Sequence, residues 1–278
     1  MAVTEKLKFI KSQLNLNSMF LIGGFVRDFL LGKSCEGCDL DIVTDHDFVM
    51  LKEMLKDAKI SHTVHDRMLT IKLKFDDCLI DLVRARREFY KSPGVIAYCE
   101  PASIRDDCYR RDFTINTLMF AVSDFIEGNS YPIDIIGGLQ DLREGVIRYV
   151  RPGTFSEDPA RLIRLIRYAV KLDFKVEPAT RMEYNEAVLN GGVFLTKSSR
   201  VVLELSRLFD ESTPMTILST LEKCSLIPPC ELLSRRFLES ADNCLGASQV
   251  FKIFSENLKE EAIKFFLHFG ISPDKYCA

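Results

Sequence analysis

Residues 20–44 read FLIGGFVRDFLLGKSCEGCDLDIVT, and this stretch decides the fold of the first half of the chain. Its apolar start predicts a buried strand that ends at Ile22, and the two glycines that follow predict a turn. A helix over residues 25–31 comes next, and a second strand follows a polar loop. A strand, a glycine turn, a helix and a second strand in this order predict an α/β unit.

The second strand carries the candidate reactive groups, Asp39 and Asp41. Because these residues are two positions apart on a strand, both carboxylates leave the same face. Gly23 and Gly24 permit a close approach of the backbone to a ligand, and the helix behind them aims unpaired N–H groups at the turn. Carboxylate oxygens are preferred ligands of Mg²⁺, so the pattern predicts a site for a nucleotide bound with Mg²⁺.

The composition is that of an ordinary globular protein, with 278 residues, 47% apolar residues and 28% charged residues. A net charge of −3 does not by itself indicate a nucleic-acid partner. The basic residues are nevertheless clustered, at residues 84–91, 105–111 and 143–167, and a local basic surface can hold phosphate although the whole chain is acidic. No apolar run reaches the length of a membrane span, and the N-terminus lacks a signal-peptide layout.

The nine cysteines are an odd number without the spacing of a disulfide framework. They predict reduced thiols and a cytoplasmic location. Cys35 and Cys38 form a single CxxC just before Asp39, which raises the question of a zinc site. A structural zinc site needs four ligands and no second CxxC is present, so we interpret the pair as loop thiols.

The residues after the opening stretch continue the α/β pattern. They predict a helix over 45–57, strands over 61–64, 69–75 and 79–84, and a loop over 88–107. Asp81 lies on the last of these strands between two apolar residues. It is a natural third carboxylate for Asp39 and Asp41 if its strand neighbours theirs, and otherwise it is a surface residue at a strand end.

The chain changes character after Pro152, where one helix follows another. An α/β first part and an all-α second part predict two domains that meet near residue 147. The helix at Pro159 is informative, since Asp158 and Pro159 suit its N-cap and first position. Asp158 and Arg161 are three residues apart and share a helix face. They are either a cap with a solvated arginine or a polar pair that reads the edge of a nucleobase.

Five motifs in order resemble those of class II tRNA nucleotidyltransferases, a family that includes CCA-adding enzymes and bacterial poly(A) polymerases within the polymerase-β-like superfamily. They are GGFVRD at 23–28 with DLD at 39–41, IDLVRARREFY at 80–90, RRDFTIN at 110–116, DIIGGLQDLREGVIR at 134–148 and EDPAR at 157–161. The resemblance covers residues 18–210. It implies an α/β (α+β) nucleotidyltransferase head with a small mixed sheet over residues 1–147, an all-α neck over 148–212 and a short helical body over 213–278.

The resemblance also implies roles for single residues. Asp39 and Asp41 would bind two Mg²⁺ ions, and Asp81 would assist them in catalysis. The implied nucleotide-binding residues are Gly23, Gly24, Arg27, Asp28, Arg111, Asp112, Asn116, Asp158, Arg161 and Arg164. Among these, Arg111 and Asp112 would lie near the ribose, and Asp158 with Arg161 would read C and A without a template strand.

The function implied by the resemblance is addition of C, A or both, from CTP and ATP, to the 3′ end of tRNA. A poly(A) polymerase that uses ATP alone and a non-catalytic RNA-binding descendant of the family are the alternatives. A nucleotidyltransferase acting on small molecules would share the glycine pair and DxD but not EDPAR. Three carboxylates at 39, 41 and 81 argue against the non-catalytic alternative, because a protein released from catalysis has no reason to keep metal ligands.

Overall fold

The computed structural model describes residues 3–14, 16–34, 39–58, 60–75, 78–92, 94–195 and 199–272. The chain forms two compact units. The first unit contains residues 1–89 and 97–144, and the second contains residues 90–96 and 145–278. Cys35 and Cys38 lie outside the described residues. The separation of a neck over 148–212 from a body over 213–278 stays a prediction.

The first unit combines strands and helices, which confirms the predicted α/β class. Its elements are α1 Val3–Leu14, β1 Phe20–Ile22, α2 Gly24–Leu30, β2 Leu40–Thr44, α3 Phe48–Lys56, β3 Ser61–His65, β4 Thr70–Lys74, β5 Leu79–Arg84, β6 Arg86–Phe89, β7 Tyr98–Pro101, α4 Ile104–Tyr109, β8 Met119–Ala121, α5 Val122–Ile126 and α6 Gly138–Glu144. Six strands form one mixed sheet in the order β3-β4-β5-β2-β1-β8. In this sheet β2 and β5 are parallel, and the other neighbouring strands are antiparallel.

The sheet forms because its strands alternate apolar residues at the period of two that a strand requires. Ile42 on β2 and Leu82 on β5 are fully buried, and they stand next to each other in the parallel register. On α3, Asp47 caps the helix by accepting hydrogen bonds from the N–H groups of Val49 and Met50. Helix α1 packs against α3 and α5 through its apolar stripe, so the sheet and these helices share one core.

Residues 88–107 do not form the predicted loop. Strands β6 and β7 pair antiparallel as a separate two-stranded sheet, and α4 begins at Ile104. The side chain of Ser103 accepts a hydrogen bond from the N–H of Asp106, whose carboxylate accepts one from the N–H of Ser103, which is a capping box. The prediction was wrong because a polar hairpin takes its structure from the partner strand, and composition alone does not show that partner.

The second unit is mainly helical, which agrees with the pattern after Pro152. Its elements are β9 Val146–Ile147, α7 Thr154–Glu157, α8 Ala160–Leu172, β10 Lys175–Val176, α9 Pro178–Leu189, α10 Ser199–Glu211, α11 Pro214–Cys224, α12 Arg235–Ser240, α13 Ala247–Asn257 and α14 Lys259–His268. Helix α8 packs against α10 and α11, and the rings of Phe251, Phe254 and Phe266 meet edge to face. No helix in the described ranges is long and apolar enough to cross a membrane.

Candidate active site

The glycine turn after β1 lies directly beside one of the predicted metal ligands. Gly23 has φ of 86°, a left-handed value that favours glycine. A Cβ at this position would lie 3.1 Å from Oδ2 of Asp41 and 3.3 Å from Nη1 of Arg111. Glycine is therefore required here for two reasons, the backbone conformation and the space between a carboxylate and a guanidinium.

Asp41 and Asp81 lie side by side on neighbouring parallel strands, so the prediction that their strands are neighbours is confirmed. Asp39 is exposed and immediately precedes β2. Burial raises the pKa of the Asp41 carboxyl, the charge of Arg111 lowers it, and the charge of Asp81 raises it again, with a net rise. Two adjacent carboxylates that repel each other are the electrostatic arrangement that a cation relieves.

Asp81 is held by Lys72, which was not predicted. The Nζ atom of Lys72 donates to both carboxylate oxygens of Asp81, at 3.1 and 3.2 Å, from the position opposite it on β4. In the described ranges, no group of three or more His, Cys, Asp and Glu side chains could hold a metal ion. Mg²⁺ is commonly bound through one or two carboxylates and the phosphates of its substrate, so Asp39 and Asp41 fit that mode of binding, with Asp81 beside them.

Four predicted nucleotide-binding residues form one buried network. Arg27 donates from Nε to Oδ1 of Asp28 at 2.8 Å and from Nη1 to Oδ1 of Asn116 at 2.7 Å. Asn116 in turn donates from Nδ2 to Oδ1 of Asp112 at 3.0 Å. The network connects α2 with the short 3₁₀ turn Thr114–Asn116, far apart in sequence. Arg27 is thus a buried link in the network, and its part in nucleotide binding stays a prediction.

Arg111 lies between the glycine turn and a buried carboxylate that the sequence analysis did not select. Its Nε and Nη2 atoms donate to Oδ2 of Asp107 at 3.3 and 3.2 Å. Burial opposes the ionisation of Asp107, but the charges of Arg110 and Arg111 outweigh it and lower the pKa of this carboxyl. A sequence signal existed, since Asp107 precedes Arg111 by four residues, the spacing at which two side chains meet on a helix.

In the second unit, the structure brings Asp158 and Arg161 together and also gives both of them protein partners. Oδ2 of Asp158 accepts a hydrogen bond from Nη2 of Arg200 at 2.6 Å and lies 3.7 Å from Nε of Arg161. Arg161 also donates from Nη1 to Oγ1 of Thr154 at 2.5 Å. The expected N-cap is shifted by one residue, because α8 begins at Ala160 and Oδ1 of Asp158 accepts from the N–H of that residue.

Arg164 is one turn further along α8 and contacts a second buried carboxylate. It donates from Nη1 to Oε1 of Glu204 at 3.1 Å, and its guanidinium lies over the ring of Tyr168. Glu204 also pairs with Arg167 and Arg207, so one carboxylate of α10 fixes three arginines. Glu204 and Arg200 were not predicted, since nothing in their spacing shows that α10 packs on α8.

Comparison with known proteins agrees with the motif pattern. Residues 19–148 match the protein family described as "Poly A polymerase head domain". An A-adding tRNA nucleotidyltransferase of Aquifex aeolicus (strain VF5) is 35% identical over 205 residues, which is 73% of this chain and 24% of the relative. Poly(A) polymerase I of Salmonella typhi is 33% identical over 175 residues, which is 58% of this chain and 36% of that protein.

A solved structure of a CCA-adding enzyme in an apo form has the same fold. It is 25% identical, with a TM-score of 0.77, and the match covers 98% of this chain and 68% of the other. The chain spans about a quarter to a third of the length of the two curated relatives. The three similar proteins differ in the product that their names give, so similarity alone does not select among the products.

Proposed function

We infer that this chain, whose residues 19–148 belong to the family of poly A polymerase head domains, is a template-independent RNA nucleotidyltransferase that adds C, A or both to the 3′ end of tRNA. CTP and ATP are its proposed substrates. The observation that carries the proposal is the pair of neighbouring carboxylates, Asp41 and Asp81, with Asp41 next to the glycine turn at Gly23. A cation bound at such a pair would also bind the phosphates of a nucleotide.

Nucleotidyl transfer joins the 3′-oxygen of the RNA to the α-phosphorus of the nucleotide and breaks the bond to pyrophosphate. Enzymes of this type use a divalent metal, and we propose Mg²⁺ in a two-metal arrangement. When bound, the metal lowers the pKa of the 3′-hydroxyl and neutralises the charge on the pyrophosphate. Asp39 and Asp41 would hold it, and Asp81 would support them from the neighbouring strand.

The other residues of the first unit would bind and orient the nucleotide. Arg111 directs a guanidinium nitrogen at the space above Gly23, where it can pair with a phosphate oxygen. Arg111 and Asp112 would also lie near the ribose, and the hydrogen bond at 3.0 Å between Asp112 and Asn116 fixes the side chains of these two residues. No histidine base is proposed, since none of the four histidines lies in a motif.

Selection of the base is proposed for Asp158 and Arg161 of the second unit. A carboxylate can accept from the amino group of C or A, and a guanidinium can donate to the adjacent ring nitrogen. An ionised carboxylate has about four acceptor positions. Arg200 and the N–H of Ala160 use two of them in this structure, so Asp158 retains the capacity to accept from a base.

A poly(A) polymerase is the second candidate, and the similarity to poly(A) polymerase I over residues of both units favours it. The alternatives separate in one experiment, incorporation of labelled CTP and ATP into tRNAs that end before the first C of CCA, after its second C and after its A, with an unrelated RNA as a fourth acceptor. A tRNA nucleotidyltransferase stops when CCA is complete and leaves the unrelated RNA unchanged. Long A tails on any RNA would identify the polymerase, and no incorporation into any acceptor would refute both.

We propose the cytoplasm as the location of this function. The described cysteines agree with a reducing compartment, since Cys78, Cys99, Cys108, Cys224, Cys230 and Cys244 are all free thiols.

A further inference from the structure

Asp107 is a fully buried carboxylate with charged partners on both sides. Its Oδ1 atom accepts hydrogen bonds from Nε of Arg110 at 2.8 Å and from the N–H of Arg86 at 3.3 Å. Its Oδ2 atom accepts two hydrogen bonds from Arg111. A buried carboxylate with this many charged donors is costly to build and fixes the geometry of every group that it holds.

The two arginines that bind Asp107 have different further contacts. Arg110 continues into the protein, where its Nη1 atom pairs with Glu88 at 3.0 Å, and Glu88 also pairs with Arg86. That branch connects α4 with β6 and has a structural role. Arg111 instead leads toward the glycine turn, because its Nη1 atom lies 3.3 Å from the position of a Cβ on Gly23.

The orientation of Arg111 follows from the planar shape of its guanidinium group. Once Nε and Nη2 are held by one carboxylate, the direction of Nη1 is determined. Nη1 makes one long hydrogen bond, at 3.5 Å, to the carbonyl oxygen of Asn116. Oδ2 of Asp41 borders the same position, 3.1 Å from a Cβ on Gly23. The space above Gly23 is therefore bordered by a guanidinium, which can bind an anion, and by a carboxylate, which can bind a cation.

We propose that Asp107 is a positioning residue for the incoming nucleotide. It acts through Arg111, which it holds with Nη1 directed at the space above Gly23, where the nucleotide phosphates bind. The proposal rests on the proposed function and deepens it, since it names a residue that no motif assignment includes. Asp107 itself touches neither the nucleotide nor Asp41.

The test compares Asp107→Asn with Asp106→Asn in steady-state kinetics. Asp106 precedes Asp107 on α4, is partly exposed, and pairs with Arg87 and Ser103, so it provides a matched control for damage to the helix. We expect Asp107→Asn to raise KM for the nucleotide by about tenfold, the lower end of the loss that follows removal of the hydrogen-bond partner of a metal ligand. KM for the tRNA and kcat per folded molecule should change less than about twofold, and Asp106→Asn should leave both KM values unchanged.

A merely structural role gives a different result. Asp107→Asn would then lower the melting temperature and the fraction of active protein, while KM for the nucleotide in the surviving fraction equals that of the wild type. That outcome overturns the proposal. Arg111→Lys keeps the positive charge but removes the two-point contact with Asp107, and it serves if Asp107→Asn does not fold. It should raise KM for the nucleotide to a similar extent, and an unchanged KM would again overturn the proposal.

A double-mutant cycle identifies the route of the effect. If Asp107 acts through Arg111, Asp107→Asn adds less than about twofold to KM in an Arg111→Ala background but keeps its full effect in an Arg110→Ala background. The opposite pattern would assign the effect to Arg110 and contradict the proposal.

Direct binding of ATP and CTP by wild type and Asp107→Asn separates this inference from the proposed function. If the wild type transfers no nucleotide to tRNA but binds ATP or CTP about tenfold more tightly than the variant, the proposed reaction fails and the positioning role stands. Equal binding by both proteins refutes the positioning role alone. A wild type that binds neither nucleotide refutes both.

Discussion

Asp41 and Asp158 are both carboxylates predicted to serve a nucleotide, but their surroundings are opposite. Asp41 has a second carboxylate beside it on the next strand, and within the described residues its carboxylate accepts no hydrogen bond. Asp158 is almost fully buried and accepts hydrogen bonds from Arg200 and Ala160. Asp41 is buried beside a carboxylate of the same charge, whereas the protein supplies hydrogen-bond donors to Asp158.

The difference shows what each carboxylate contributes to the free protein. Burial of the ionised Asp41 carboxylate opposes folding, and the charge of Asp81 adds to that cost. Groups perturbed in this way are typical of functional sites. Asp158 stabilises the second unit through its donors, so a role in base selection must be shared with a structural role. Substitutions at the two positions should therefore change stability in opposite directions.

The largest effect is expected from Asp41→Asn. It should lower the rate of transfer by about a thousandfold or more, since a metal ligand contributes several kcal/mol to the transition state. The folded protein should be as stable as the wild type or more stable. The pKa of Asp41 is raised on folding, so its ionised form opposes folding at neutral pH, and asparagine removes that charge.

Incorporation assays and thermal unfolding check this prediction in parallel. Asp45→Asn is the matched control, because Asp45 is exposed and lies just after β2. Near-normal transfer by Asp41→Asn would remove Asp41 from the metal site, and a large loss of stability would refute the electrostatic contrast between the two sites.

Asp158→Asn and Arg161→Met should have a smaller effect, on selectivity. Each is expected to reduce discrimination against UTP and GTP by about tenfold to a hundredfold, the value of one good hydrogen-bonding pair to a base edge. The measurement is kcat/KM for all four nucleotides. If Asp158→Asn only lowers the unfolding temperature and leaves the order of the four nucleotides unchanged, Asp158 is a structural residue and the two sites differ in function as well as in charge.

Arg200→Ala tests whether a hydrogen-bond donor to Asp158 stabilises the folded protein. It removes the donor that lies 2.6 Å from Asp158 and should reduce the free energy of unfolding by about 1–3 kcal/mol, because a buried carboxylate loses a charged partner. Arg207→Ala is the control, since its partner Glu204 keeps Arg164 and Arg167, and it should cost less than about 1 kcal/mol. Denaturant unfolding measures the free energy of unfolding of both variants. Equal losses of this free energy would show that Asp158 does not depend on Arg200 as its partner.

The smallest effect is expected from Lys72→Met. Lys72 and Asp81 are both partly exposed, so their ion pair contributes little to stability. Removal of the lysine leaves the negative charge of the carboxylates less compensated, and Mg²⁺ should bind about two- to fivefold more tightly. Titration calorimetry with Mg²⁺ measures the change. Weaker binding by the variant would mean that Lys72 supports the metal site.

The elements that sequence could predict are those with local signals. The strand predicted over 79–84 is β5, Leu79–Arg84, because alternating residues and flanking turn residues determine it. The glycine turn after Ile22 follows from two adjacent glycines. The capping box at Ser103 was also a local signal. The segment was nevertheless predicted as a loop, because the residues around Ser103 are mostly polar.

The parts of the site that sequence could not predict depend on register and packing. Whether Asp81 lies beside Asp41 depends on β2 and β5 being neighbours in register, which the spacing of the residues leaves open. Lys72 reaches Asp81 only because β4 pairs antiparallel with β5. Arg200 reaches Asp158 across 42 positions of sequence. The fold determines each of these partners. The residue types therefore predicted the chemistry of the site but not the contacts that modify it.

The place of β8 in the sheet has a consequence for the synthesis of the chain. β1 pairs with β2 on one side and with β8 on the other, where Phe20 lies opposite Ala121. While a ribosome is still adding the residues before β8, β1 is an open sheet edge, and its unpaired N–H and C=O groups are a template for other chains. A nascent chain or fragment that stops before Met119 should therefore aggregate, and one that includes Ala121 closes this side of β1 with its own strand.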